Sequence, residues 1–369
     1  MLKMDSDSSA ENPPLRLPVK RLLAGPGIAL AIYLAMLLAV NSLELLQQLG
    51  QFPVLLLLPL AMLKVLTWLC RFVVWQHFLD VAGIRDRVNA RNSAILYLAG
   101  LSLSVSPGKS AEALKALVLR RWAGLPLSIG LPVVMAERVV ETLSVLILSA
   151  LVLAAGAADL APVLARHLLI LATAVVLTGL LFLHSPSAQR RMLAVVANVP
   201  LLRHAIVWLR GFIAGSSQML QVRNLLRALV PAMLATTGDA LVLLVILDGF
   251  GLALNTELLF QALLIVSLTP LIGALSGLPN GAGITELSVA TMLLTLVAPS
   301  QSAVTPSSAA AVALIEGFFH KWLRVLVGLL VALVFRKRLF STELPAEAVG
   351  NSATATATAG QGQMYDLES

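Results

Sequence analysis

Charge is what this sequence has least of. Asp, Glu, Lys and Arg make up 12% of its 369 residues, about half the share usual in soluble domains. Set beside 58% hydrophobic residues, that scarcity excludes an ordinary soluble enzyme, a disordered tail protein and a nucleic-acid binder. Cysteine is nearly absent: Cys70 stands alone inside an apolar run, so no disulfide framework or CxxC site is available. The five histidines, His77, His167, His184, His204 and His320, are scattered and form no HExxH or His/Cys cluster for a metal. A Gly-x-Ser-x-Gly elbow is also missing. Gly108-Lys109-Ser110 imitates the end of a P-loop, but the required first glycine falls on Leu103. No cofactor, metal or nucleic acid is therefore implied.

What is present is apolar runs of membrane-crossing length. A helix needs roughly 20 mainly apolar residues to cross about 30 Å of hydrocarbon. Stretches at about 22–40, 53–79, 129–155, 163–183, 228–250 and 308–334 qualify, and the first lacks the features of a cleaved signal peptide. The expected fold is an all-α polytopic membrane protein of about six full spans. Its membrane domain covers 22–338, between an N-terminal tail at 1–21 and a low-complexity tail at 339–369. Residues 203–222 mix apolar and basic positions and read as an interfacial helix.

The net charge of +7 acquires meaning only by side. Loops at 41–52, 156–162, 251–258 and 298–307 hold no Lys or Arg, whereas the N-terminus, 80–91, 184–227 and the flank at 336–338 are basic. The positive-inside rule then places both termini in the cytoplasm, with a bacterial inner membrane as the expected location.

Two apolar regions are broken by turns. One runs from 92 through Ser106-Pro107-Gly108-Lys109 to 123; the other covers about 259–297 and breaks at Leu278-Pro279-Asn280-Gly281-Ala282-Gly283. For the parity to hold, each must return to its starting side, which makes them re-entrant hairpins entering from opposite faces. Two short spans would satisfy the second region equally well. Each break leads to a glutamate, Glu112 or Glu286, and then to a span carrying acid and base: Glu137, Arg138 and Glu141 in the first half (about 53–155), Glu316, His320, Lys321 and Arg324 in the second (about 228–338). Broken helices repeated with inverted topology point to a binding site near the midplane.

These same residues carry a resemblance. The Pro-Gly turn leading to Glu112 and Lys115, the Glu137-Arg138 pair and the Pro-x-Gly-x-Gly-x-x-Glu stretch ending at Glu286 resemble the lysylphosphatidylglycerol synthase transmembrane-region family. The family includes the flippase part of multiple peptide resistance factor proteins. Two positions depart from its pattern: Asn280 stands where Pro-Gly-Gly is common, and Glu316 lies near where many members carry Arg. The resemblance implies a flippase-like membrane domain. It does not imply lysylphosphatidylglycerol as substrate, because the aminoacyl-transferring part has no counterpart in these residues.

Several residues stand out as candidates for the headgroup and its path. A Pro-Gly break that opens a helix leaves free N–H groups suited to a phosphate, so Pro107, Gly108, Lys109, Gly281 and Gly283 are candidate headgroup ligands. The plainer reading is a simple helix break with Lys109 reaching water. Glu112 and Lys115, at i and i+3, can pair with each other. Glu286 has no nearby base in sequence and needs a partner or water. Arg138 reaches Glu141 at i+3, and Arg138 and Arg324 occupy comparable places in the two halves, where they either guide a phosphate or brace the fold. Glu316, His320 and Arg324 fall on one stripe, and His320 either relays a proton or simply bonds its neighbours. Lys64 and Arg71 share a face with no acid in their span. Asp239 is the best internal counter-charge, and Arg71 is near enough to the membrane edge to snorkel. The tryptophans anchor interfaces or fill the core.

The reading is a protein that moves a phosphate-containing membrane lipid between leaflets. One rival is a membrane transferase on a lipid-phosphate carrier, with Glu112 or Glu286 as general base. Another is a scaffold subunit for a lipid-modifying enzyme; such an enzyme or a second copy of the chain would be the protein partner.

Overall fold

The computed structural model describes residues 42–105, 110–124, 126–155, 163–199, 205–278, 281 and 283–340. Every regular element among them is helical. The expected first span at 22–40, both tails and the tip residues Pro107, Gly108 and Lys109 lie outside the described residues.

The helices are α1 (Ser42–Gln51), α2 (Leu57–Val81), α3 (Ala90–Gly100), α4 (Leu114–Ala123), α5 (Leu127–Ala154), α6 (Val163–His184), α7 (Pro186–Asn198), α8 (Ile206–Met219), α9 (Val222–Gly249), α10 (Thr256–Leu275), α11 (Ile284–Met292), α12 (Pro306–Gly317), α13 (Leu323–Val334) and α14 (Arg336–Phe340). Five segments are long and apolar enough to cross a membrane: Val54–Val81, Arg166–His184, Val222–Gly249, Thr256–Leu275 and Pro306–Val334. α5 matches the longest of the helices, at 28 residues, or about 42 Å, and it carries Glu137, Arg138 and Glu141 near its middle. Length and composition thus define a polytopic helical membrane protein.

The sequence reading needs adjusting in three places. The basic-free stretch after residue 41 is a helix, α1, whose Leu45 packs against Ala310 and Ala311 of α12. The segment read as an interfacial helix is α8, and it packs on the start of α5: a Cβ at Gly211 would lie 3.0 Å from Ser128 Oγ and one at Gly215 3.0 Å from Pro132 Cγ, tight contacts that would press on the neighbour. In the second broken region the two limbs are unequal: α10 is 20 residues long and apolar, whereas the return limb, α11 with the π-turn Leu293–Val297, has 9 and 5 residues.

Both broken regions fold back as helical hairpins. In the first, Gly100 on α3 lies against the alkyl chain of Lys115 on α4, and Gly328 of α13 sits on the backbone of Leu101 and Ser102 where α3 ends. In the second, Gly281 packs on Gly273; a Cβ at Gly281 would lie 2.7 Å from the Gly273 Cα. Gly281 also has a φ of 60°, a region that disfavours side chains. These contacts draw both hairpins into the bundle beside α5 and the α12–α13 helix. Trp75, fully buried, fixes the first hairpin by donating from Nε1 to Ser93 Oγ at 3.0 Å, with Lys115 Nζ 4.6 Å from its ring centroid.

Candidate functional site

Most of the charged residues singled out above converge near the middles of their helices. Asp239 on α9 receives two cations from α2: Lys64 Nζ at 2.5 Å and Arg71 Nη2 at 2.7 Å. Arg71 is therefore no snorkelling residue. It is 8% exposed and turns inward because a desolvated guanidinium requires a carboxylate. Its Nε also lies 3.4 Å from Glu141 on α5.

On α5, Arg138 gathers three carboxylates. It pairs with Glu141 one turn on, lies 3.3 Å from Glu137 and stands 3.4 Å from Glu112 of the first hairpin. Lys115 reaches past Glu112 to Glu137 at 2.7 Å. The helical i, i+3 pairing of Glu112 with Lys115 is thus replaced by contacts between helices. Buried charges choose the partner that burial brings closest. The result is a continuous chain of alternating sign, from Glu112 through Arg138, Glu141, Arg71 and Asp239 to Lys64.

The second hairpin makes a separate contact. Glu286 accepts from Lys321 at 2.7 Å, and Thr285 Oγ1 also bonds both Lys321 and Glu286. The other Glu286 oxygen accepts from the backbone N–H of Gly283 at 2.8 Å, capping its own helix. The N–H of Gly281 donates to the Leu278 carbonyl at 3.0 Å. The N–H groups of both glycines are thus engaged within the protein, while the neighbouring tip residues 279, 280 and 282 lie outside the described residues.

Sequence reasoning placed Lys321 among the charged residues of the last span but assigned it no partner or role. On a regular α-helix it would sit well round from the Glu316–His320–Arg324 stripe. A π-turn at Phe318–Trp322, closed by the Leu323 N–H to the Phe318 carbonyl, underwinds the helix there. Lys321 then shares a lining with all three. The stripe itself behaves differently from the rest: His320 Nδ1 is 3.6 Å from Glu316, and Arg324, 5% exposed, has no ion pair and an Nε without a hydrogen-bond partner among the described residues.

A cavity of about 220 Å³ joins these groups. Its lining brings together the charged Arg71, Arg138, Glu141, Asp239, Glu316, His320, Lys321 and Arg324 with apolar residues of α10 such as Ile265, Val266, Leu271 and Ala274, and with Gly281 and Thr285 of the second tip. Pro270 and Ala274 on the rim are exposed on the protein surface. Lys64, Glu112, Lys115, Glu137 and Glu286 stand behind the lining and hold it in place. Nothing among the described residues gathers three metal-ligating side chains.

A helical membrane protein with paired hairpins and a buried, charged cavity is the class that this architecture defines. The family follows from the sequence match. The lysylphosphatidylglycerol synthase TM region family matches residues 22–328, most of the chain, and the protein belongs to it. No curated protein matches the sequence.

Proposed function

We propose that this membrane domain moves a phosphate-containing lipid between leaflets, with the headgroup passing through the cavity and the acyl tails remaining in the bilayer. The observation that carries this reading is the cavity itself, lined by both charged and apolar residues and including the surface-exposed Pro270 and Ala274. Charged headgroups cross hydrocarbon slowly because desolvation has no compensation there. A cavity that supplies fixed opposite charges removes much of that barrier. Its volume of about 220 Å³ falls below the ~300–1,000 Å³ of pockets that enclose a whole drug-sized ligand. It suits a headgroup whose tails stay outside.

In this reading the two hairpins enter from opposite faces, both termini are cytoplasmic, and the lipid phosphate is bound by the cations of the cavity lining. Pro107, Gly108 and Lys109 form a further candidate contact at the other tip. A transferase with Glu112 or Glu286 as general base has less support, because each carboxylate is already held, by Arg138 or by Lys321.

Reconstitution tests the proposal. Phospholipid carrying a fluorophore on an acyl chain is placed in vesicles and exposed to a reductant that does not cross the membrane. Vesicles with the protein are expected to lose fluorescence beyond the outer-leaflet share, without any new lipid product. Fluorescence protected as in protein-free vesicles would overturn the transport reading, and a new lipid product would favour a transferase.

A further inference from the structure

The cavity holds a pair of charges that the protein leaves unmatched. Among the described residues Arg324 has no ion pair, and it is buried. Glu316 makes no hydrogen bond there, and its one ion-pair contact within 4 Å is the His320 ring at 3.6 Å. The lysines that could serve Glu316 are committed elsewhere, Lys64 to Asp239 and Lys321 to Glu286. Every other cation in the cluster has a carboxylate within 4 Å. Both groups line the same cavity, together with Ser267, whose buried hydroxyl also has no hydrogen-bond partner among the described residues.

We infer that the cavity selects a zwitterionic headgroup, with a phosphodiester on Arg324 and a single primary ammonium on Glu316. This rests on the transport reading and names the substrate class for the same site. The argument is one of charge matching in a desolvated space. An anionic headgroup would satisfy Arg324 and leave Glu316 buried without a counter-charge. A headgroup with two ammonium groups would leave one of them without a carboxylate. Only one phosphate with one ammonium matches both groups, and unmatched buried charges are strongly disfavoured. Two turns separate the residues, about 12 Å of axial rise, an interval that a headgroup held between two long side chains can bridge. The Ser267 hydroxyl adds a donor for a phosphate oxygen.

The test uses the full-length protein in vesicles of equal phosphatidylethanolamine and phosphatidylglycerol. Trace lipid labelled on an acyl chain is added in turn as phosphatidylethanolamine, phosphatidylglycerol or lysine-esterified phosphatidylglycerol. The ethanolamine lipid is expected to move about ten-fold faster than either other, the effect of one charge-assisted hydrogen bond. Glu316→Gln should erase that preference by slowing the ethanolamine lipid alone, Glu316→Asp should keep it, and Arg324→Gln should slow every label. Equal movement of the three lipids, or Glu316→Gln slowing all of them alike, would overturn the inference and leave transport standing. Movement of none of them would contradict the transport reading itself. Should Glu316→Gln fail to fold, thermal stabilisation of the wild-type protein by short-chain lipids decides: stabilisation by the ethanolamine form over the glycerol form supports the inference, and equal stabilisation overturns it.

Discussion

The two halves of the molecule use similar charged residues in different ways. In the first, Glu112, Lys115, Glu137, Arg138 and Glu141 engage one another across α4 and α5, and the chain of contacts continues through Arg71 to Asp239. In the second, one tight contact, Lys321 with Glu286, stands beside Glu316 and Arg324, which are left open to the cavity. In the proposed transport reading the first half would serve as a brace and the second as the receptor. Sequence comparability between Arg138 and Arg324 therefore does not carry over to role. By its contacts the counterpart of Arg138 is Lys321, since each receives the glutamate of its own hairpin.

Substitutions can break or sharpen that contrast. The largest effect on folding is expected from Arg138→Met, which strips a common partner from three carboxylates. A loss of about 3–5 kcal/mol is the usual result of leaving a buried charge unpaired, read as a collapse of the monodisperse peak in detergent gel filtration. Adding Glu141→Met should recover only part of it, because Glu112 and Glu137 keep their need.

Lys321→Met should come next, at about 3 kcal/mol, with a different signature. Lys321 meets one carboxylate where Arg138 meets three, so Lys321→Met with Glu286→Met should regain most of the thermal midpoint, less the cap that Glu286 gives its own helix. Similar recovery in both double variants would erase the distinction between network and pair.

Glycine offers a smaller contrast within the second tip. Gly281 and Gly277 both have positive φ, but only Gly281 is crowded by Gly273. Alanine at Gly277 should cost about 1 kcal/mol, the ordinary penalty of that backbone region. Alanine at Gly281 should cost clearly more. Equal shifts in the two melting curves would show that the Gly273 contact is not tight.

Much of the fold was legible because it follows from composition. Apolar runs longer than a bilayer is thick gave the spans, and a Pro-Gly and a Pro-Asn-Gly turn inside such runs marked the two fold-backs. Lys64 and Asp239 were legible as partners because a buried lysine without an acid in its own helix needs one from another. Asp239 was legible for Arg71 on the same ground, and Arg138 with Glu141 from their spacing on one helix. That Lys115 meets Glu137, Arg138 meets Glu112 and Arg71 meets Glu141 depends on how helices dock, and no spacing within one helix encodes that. The place of Lys321 in the lining was hidden by the assumption of regular α-helical periodicity across a π-turn. The Glu286 cap was hidden for a smaller reason: a capping box usually announces itself with Ser or Thr, and here the N-cap is Gly283.

The smallest effect on folding, and the most direct test of the account, belongs to Arg324→Gln. With no ion pair to break among the described residues, the variant should melt within about 1 kcal/mol of wild type. Lipid movement into the opposite leaflet, measured at equal amounts of folded protein per vesicle, should fall at least about ten-fold. A variant that unfolds like Arg138→Met, or one that moves lipid as fast as wild type, would contradict the claim that the second half keeps its open charges for a headgroup.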